Sequence, residues 1–514
     1  MKYISTRGGI APVGFVEAVL MGLADDGGLL VPQALPQLSA ETLEAWRTLS
    51  YQDLTLELFS LFTGDELPRA ELKALIDGSY AGFRHPEVTP VQRLTDELYL
   101  LELFHGPTFA FKDVALQLLG NLYSYVSQQT GSVIHILGAT SGDTGASAIA
   151  GVRGKPGVKI CILYPEGKVS RVQQLQMTTI DDENVLNLAV SGTFDDAQRI
   201  IKELFGDVAF KQKYHLRAIN SINIVRILAQ ITYYFYGYFR ATERRATGQQ
   251  ATGQQTTEQQ GGVKIAFSVP TGNFGDLFAG YLAKRMGLPI ERLILATNEN
   301  DILVRFVQNG EYRPAAFRGT YSPSMDIQVA SNFERYLYYL YGEDAGRVRG
   351  LMNDFRAQGF LSMAPADQER VRADFAAHSV PNDACLDTIR RTHAASGYLL
   401  DPHTACAVAA AQMEGAQVEA AHMKGAALRL PKTVTVALAT AHPAKFNEAI
   451  EVCGIEQEFP AEIAALFGLP EREHLSAATS EAIAERLKVF FGAKADAAQL
   501  REERLEGERD VVSG

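Results

Sequence analysis

Apolar positions in the first hundred residues recur at helical spacing. Val16, Val19, Leu20 and Leu23 share one face, and Asp26-Gly27-Gly28 ends that pattern. Further amphipathic stretches cover Leu54 to Phe62 and the region around Leu72 to Ile76, and Leu98–Leu103 has the density of a buried strand. From about residue 130 the rhythm changes. Short β-branched runs at Val133–Leu137, Val158–Leu163, Val185–Val190 and Val263–Val269 alternate with helical stretches. Those stretches are Ala146–Val152, Ala197–Phe205 behind a Thr193 cap, and the long apolar Ile222–Phe239. Strands in continuous apolar runs, each followed by a helix, are the pattern of parallel βαβ units, so the fold class is α/β.

Two stretches depart from this rhythm. Residues 246–262 read ATGQQATGQQTTEQQGG, a near-repeat with almost no apolar content, expected to form an exposed flexible insertion. The last forty residues, rich in Ala, Glu, Arg and Lys, are expected to form surface helix with a frayed end.

Composition narrows the function classes. The 514 residues are 46% hydrophobic and 21% charged, enough apolar material for about two to four domains. With 48 Lys and Arg against 60 Asp and Glu, the net charge is −12, which disfavours nucleic acid and anionic membrane as partners. No apolar run approaches the roughly 18 residues of a membrane span, and the first residues lack a secretory apolar core. Cys161, Cys385, Cys406 and Cys453 are scattered, which argues against a zinc cage or disulfide framework and for a reducing compartment, the cytoplasm. No metal site is expected.

Three loops could carry chemistry. His105-Gly106-Pro107-Thr108-Phe109-Ala110-Phe111-Lys112-Asp113 follows a strand and opens a helix whose buried stripe is Phe111, Ala115, Leu118, Leu122 and Tyr125. Lys112 then sits near the positive end of the helix dipole among aromatic side chains, conditions that disfavour its ammonium form and suit Schiff-base chemistry. Taken alone, Lys112 reads better as a snorkelling surface lysine. The second loop is Gly138 to Ala146, with hydroxyls and open amides at a helix start; Thr140, Ser141 or Asp143 could simply cap that helix. The third is Pro270-Thr271-Gly272-Asn273-Phe274-Gly275-Asp276, where two glycines and an Asn tolerant of left-handed backbone let amides converge on a phosphate. Its plainer reading is a tight turn capped by Asp276. Neither the G-x-x-x-x-G-K-[ST] nor the G-x-G-x-x-G spacing is present. An amide-lined phosphate loop paired with a candidate lysine suggests pyridoxal phosphate. His403 and His442 read as structural histidines, and Ser221 or Asn220 as the cap of a helix with Arg226 on its solvated face.

The chain resembles the threonine synthases of the longer bacterial and fungal type. The resemblance rests on YISTRG, DGGL, HGPTFAFKD, GATSGDTGAS, NSIN with RILAQITYYFY, VPTGNFGD, TNENDIL, SPSMDIQVASNFER, DPHTA and TAHPAKF at Thr440–Phe446, and it covers nearly the whole chain. It implies the tryptophan-synthase-β-like fold type II of pyridoxal-phosphate enzymes: two α/β domains with the cofactor in the cleft, plus a helical N-terminal extension. The expected boundaries are 1–97 for the extension, 98–215 for a domain with the Schiff-base lysine and the substrate-carboxylate loop, and 216–514 for a larger domain with the cofactor-phosphate loop. It implies conversion of O-phospho-L-homoserine and water to L-threonine and phosphate.

By the same resemblance Lys112 is the Schiff-base lysine and main acid/base. Gly272, Asn273, Phe274, Gly275 and Asp276 hold the cofactor phosphate, Thr404 partners the ring nitrogen, and Asp143 flanks the ring hydroxyl. Thr140, Ser141, Gly142 and Thr144 receive the substrate carboxylate, and Asn220 and Arg226 the substrate phosphate. Ile224-Val225 stands where relatives often carry an aromatic residue. A neutral Thr404 is expected to leave the ring less electron-withdrawing. The competing readings are another fold type II enzyme, such as a threonine or serine dehydratase, and a non-catalytic threonine-synthase-like binding protein. As to assembly, a monomer or homodimer is expected.

Overall fold

The computed structural model describes residues 1–251, 264–423 and 433–492. The chain divides into two compact units, residues 1–119 with 221–464, and residues 120–220 with 465 onward. These differ from the boundaries expected from the sequence. The strand Leu98–Glu102 pairs with Thr433–Ala439, so the lysine-bearing segment belongs with the larger sheet. The strand His474–Ser476 pairs with Val185–Val190, so the chain after residue 464 returns to the second unit.

The first unit is built on a six-stranded sheet ordered Phe375–Ser379, Ile290–Thr297, Lys264–Pro270, Thr433–Ala439, Leu98–Glu102, Val91–Arg93. All neighbours are parallel except the last pair. The helix Pro402–Met423 packs on its three central neighbours Ile290–Thr297, Lys264–Pro270 and Thr433–Ala439. Its small residues Ala405, Cys406, Ala407 and Ala410 are fully buried there, letting the helix approach the sheet closely. Helices Tyr51–Thr63 and Arg69–Tyr80 form over the patterned stretches, whereas the first, Phe15–Met21, ends at Gly22 (φ 65°), short of Asp26-Gly27-Gly28, and leaves Leu23 exposed.

The second unit carries a five-stranded parallel sheet ordered His474–Ser476, Val185–Val190, Val158–Pro165, Ile134–Ala139, Leu216–Ala218. Helix Phe194–Gly206 starts at the expected Thr193, whose side chain forms a capping box with Asp196.

The helix expected at Ile222–Phe239 runs from Ile224 to Ala251, so the first residues of the Gln-rich repeat continue it rather than looping out. Gln, Ala, Glu and Arg are good helix formers, and extending an existing helix is far easier than nucleating one. The remainder of the repeat lies outside the described residues. Residues 480–492 are also helical, and Ile483, Leu487 and Phe491 are buried against Leu137, Leu188 and Leu216. Their four-residue spacing makes one apolar face. This part of the C-terminal region is therefore core rather than surface, and residues from 493 lie outside those described.

Candidate active site

Three adjacent parallel strands of the first unit, Lys264–Pro270, Thr433–Ala439 and Leu98–Glu102, deliver their following loops to one edge of the sheet. Those loops are residues 271–274, 440–446 and 103–111, and the carboxyl edge of a parallel sheet is where such folds place ligands. Lys112 is the first residue of helix Lys112–Thr130 and is buried, with Nζ 5.0 Å from the Phe111 ring centroid. The loop before it is fastened at both ends. Thr108 N–H and hydroxyl donate to Asp113 Oδ2 and Oδ1, each at 2.7 Å. His442 N–H donates to Phe109 O at 3.0 Å, Phe111 N–H to Thr440 O at 2.8 Å, and buried Lys445 Nζ to Thr108 O at 2.7 Å. The Thr440–Phe446 motif thus fixes the path into Lys112. Burial pushes the His442 pKa down to about 4, and its Nδ1 accepts from Ala444 N–H. At the strand's exit Glu102 takes the Tyr398 hydroxyl at 2.6 Å and pairs with His105 Nε2 at 2.8 Å.

The phosphate-loop candidate leads into helix Gly275–Arg285, whose first N–H groups have no partner within the helix. The left-handed residue is Phe274, at φ 65°, rather than Asn273 or a glycine. A bulky residue there is strained by about 1–2 kcal/mol. Its ring, buried against Phe333, Tyr336 and Phe375, holds it in place. A Cβ on Gly272 would come within 2.6 Å of the Ser324 carbonyl oxygen, so only glycine lets the backbone pass. Asn332 Nδ2 donates to Asn273 O at 3.1 Å, and Ser331 Oγ to Asn273 Oδ1 at 3.1 Å. Ser331 and Asn332, missed as site residues in the sequence, clamp this loop; their signal was the SNFER stretch. Asp276 does not cap its helix. Its Oδ1 accepts the hydroxyls of Tyr233 at 2.5 Å and Tyr234 at 2.9 Å, and burial pushes its pKa up to about 6.

Thr404, two residues into helix Pro402–Met423, donates its hydroxyl to Asp401. Arg226 is buried rather than on a solvated face, and desolvation pushes its pKa down to about 10, so an anion beside it would be strongly favoured. The cap of its helix is Asn223, whose Oδ1 accepts from Val225 N–H at 3.1 Å, rather than Asn220 or Ser221. Asn220 is exposed at the end of the second unit.

The remaining predicted residues lie in the second unit, where strand Ile134–Ala139 runs into helix Asp143–Val152. Thr140 Oγ1 accepts from the N–H groups of Gly142 at 3.0 Å and Gly145 at 2.9 Å, organising the turn. Gly142, at φ 131°, has no room for a Cβ beside Gln173. Asp143 is buried and accepts from Gln173 Nε2 at 2.8 Å, while Ser141 is exposed and Thr144 half-buried.

The lysine helix start, the glycine-gated phosphate loop and the Thr404 hydroxyl all belong to one sheet edge of the first unit, and they fit pyridoxal 5′-phosphate. A buried amine, helix-start amides and a hydroxyl are the groups that this cofactor's carbonyl, phosphate and ring would call for. The profile described as pyridoxal-phosphate dependent enzyme matches residues 83–354, and this is a fold type II pyridoxal-phosphate enzyme.

The profiles for the threonine synthase N terminus and C-terminal region match residues 2–80 and 404–486. A threonine synthase from Schizosaccharomyces pombe is 43% identical over 88% of this chain and 89% of its own. One from Pseudomonas aeruginosa is 42% identical over 92% and 95%. The crystal structure of pyridoxal-phosphate-bound threonine synthase from Brucella melitensis is 41% identical, covers 96% of this chain and 100% of its own, and superposes with a TM-score of 0.85. The chain belongs to the threonine synthase family.

Proposed function

We propose that the chain converts O-phospho-L-homoserine and water to L-threonine and phosphate. The observation that carries this reading is the shared sheet edge of Lys112 and the Gly272–Asp276 loop, within a chain matched by threonine synthase segments at both ends. When bound, pyridoxal phosphate supplies an electron sink for carbanions at the substrate's Cα and Cβ. Lys112 Nζ anchors the cofactor and then moves protons at Cα and Cβ; its place at the buried start of a helix supports both roles.

Backbone N–H groups of Gly272 to Asp276 hold the cofactor phosphate, while the Asp276 carboxyl anchors the turn from beneath through Tyr233 and Tyr234. Thr404 meets the ring nitrogen, and Asp143 the ring hydroxyl. The open turn at Thr140, Ser141, Gly142 and Thr144 takes the substrate carboxylate. Arg226, with Asn220, takes the phosphate that leaves from Cγ. A dehydratase has no need of that second phosphate position. The compartment we propose is the cytoplasm, supported by four free thiols. Among the described residues no helix is long and apolar enough to cross a membrane.

The test is product analysis with O-phospho-L-homoserine, L-serine and L-threonine as separate substrates. Threonine and phosphate in equal amounts from the first are expected. Ammonia and a 2-oxo acid from the hydroxy amino acids instead would move the chain to the dehydratases. Arg226→Ala should lower kcat/KM for O-phospho-L-homoserine roughly ten- to hundredfold, the cost of a lost charge-assisted contact. An unchanged kcat/KM would remove Arg226 from the substrate site.

A further inference from the structure

The segment Asp401-Pro402-His403-Thr404 ties the ring-nitrogen candidate to Ser324, whose carbonyl lies against Gly272, through a network of fixed polarity. Asp401 is buried, with 1% of its surface exposed. Its Oδ1 accepts from His403 N–H and His403 Nδ1, both at 2.9 Å. Its Oδ2 accepts from Thr404 N–H at 3.3 Å and from the Thr404 hydroxyl. On the far side of the imidazole, His403 Nε2 accepts from Ser324 N–H at 3.1 Å. A backbone N–H can only donate, so Nε2 carries no proton, and the ring's proton lies on Nδ1, directed at Asp401. Asp401 thus faces four donors, and both of its oxygens act as acceptors.

The Thr404 hydroxyl has one proton, and Asp401 takes it. Its oxygen also accepts Thr440 N–H at 3.3 Å. Of its two lone pairs one is left, and no proton remains to give. A further partner of this oxygen must be a donor. A pyridine nitrogen meets that requirement only when it is protonated.

We propose that Thr404 accepts a hydrogen bond from a protonated cofactor ring nitrogen, and that Asp401 is the positioning residue that fixes the hydroxyl's direction. This rests on the reading of Thr404 as the ring-nitrogen partner. A buried carboxylate one hydroxyl removed from the ring stabilises the pyridinium charge through the bridging bond. It reverses the sequence expectation of a less electron-withdrawing ring, because that expectation treats the hydroxyl as free to donate.

The experiment loads the full chain with pyridoxal 5′-phosphate isotopically labelled at the ring nitrogen and records that nitrogen's NMR resonance. The wild type should resonate in the pyridinium region. Asp401→Asn presents an amide that can donate to Thr404 and free the hydroxyl proton, and its resonance should move to the neutral-pyridine region. Thr404→Val removes the acceptor while leaving Asp401 its His403 contacts, and should shift the same way. A wild-type resonance in the neutral-pyridine region overturns the proposal even if neither variant folds. So does a pyridinium resonance retained in both folded variants. Absence of a visible band from lysine-bound cofactor in the wild type would instead remove the site reading beneath it.

Discussion

The Asp276 carboxyl is held beneath the Gly272–Gly275 turn by two tyrosine hydroxyls, and burial raises its pKa from 3.8 to about 6. Between those values the folded chain keeps a proton that the unfolded chain has released. Stability from the neutral form is therefore fully present below about pH 4, falls as pH rises through the window, and levels off above about pH 6. The span corresponds to about 3 kcal/mol. Asp276→Asn keeps an acceptor for the tyrosines and cannot titrate. The thermal stability of this variant relative to wild type should rise with pH across that window and then stay constant; a difference independent of pH would contradict the assignment. In the sequence Asp276 was legible only as part of a motif. Its two tyrosine partners are more than forty residues away, and no local pattern links them. Phe274 shows the converse: the turn was legible, but spacing favoured Asn273 for the left-handed position. Aromatic packing from Phe333, Tyr336 and Phe375 decided it, and that packing is entirely tertiary.

Among elements, the helix over residues 480–492 closes the core of the second unit with Ile483, Leu487 and Phe491. Leu487→Ala should lower the opening free energy of that unit's sheet by about 3 kcal/mol, the cost of a cavity at a fully buried leucine. Amide exchange in Ile134–Ala139 and Val158–Pro165 would register it; protection unchanged from wild type would place the helix outside the cooperative core. The same helix marks where sequence reading stops. Strands such as Val185–Val190 and helices such as Phe194–Gly206 were legible because periodicity and capping are local signals. Membership of a unit is not local. Leu98–Glu102 reads the same whichever sheet it joins, and only its register against Thr433–Ala439 decides. The charged composition at the C-terminus hid a stripe with a spacing of four.

For the whole first unit, the N-terminal strand segment reaches the Gly272–Asp276 loop through the fully buried Arg335. Arg335 donates to Leu30 O at 3.0 Å, Ile222 O at 2.6 Å and Asn332 Oδ1 at 2.5 Å. Asn332 in turn holds Asn273 O, and neighbouring Glu334 takes Thr6 and Arg7. Desolvation pushes the Arg335 pKa down to about 9. Arg335→Met keeps the bulk and drops three donors, leaving buried acceptors unpaired at about 1–3 kcal/mol each. It should weaken pyridoxal-phosphate affinity at least tenfold in equilibrium titration; wild-type affinity in a folded variant would uncouple the extension from the loop.

The catalytic reading hangs on Lys112 being the cofactor's attachment point. The direct measurement is borohydride reduction of the cofactor-loaded chain, followed by peptide mass mapping. A phosphopyridoxyl group on the peptide containing Lys112, lost in Lys112→Ala, is the predicted result. The same group on a different lysine, or none on a chain that still makes threonine, would contradict the account.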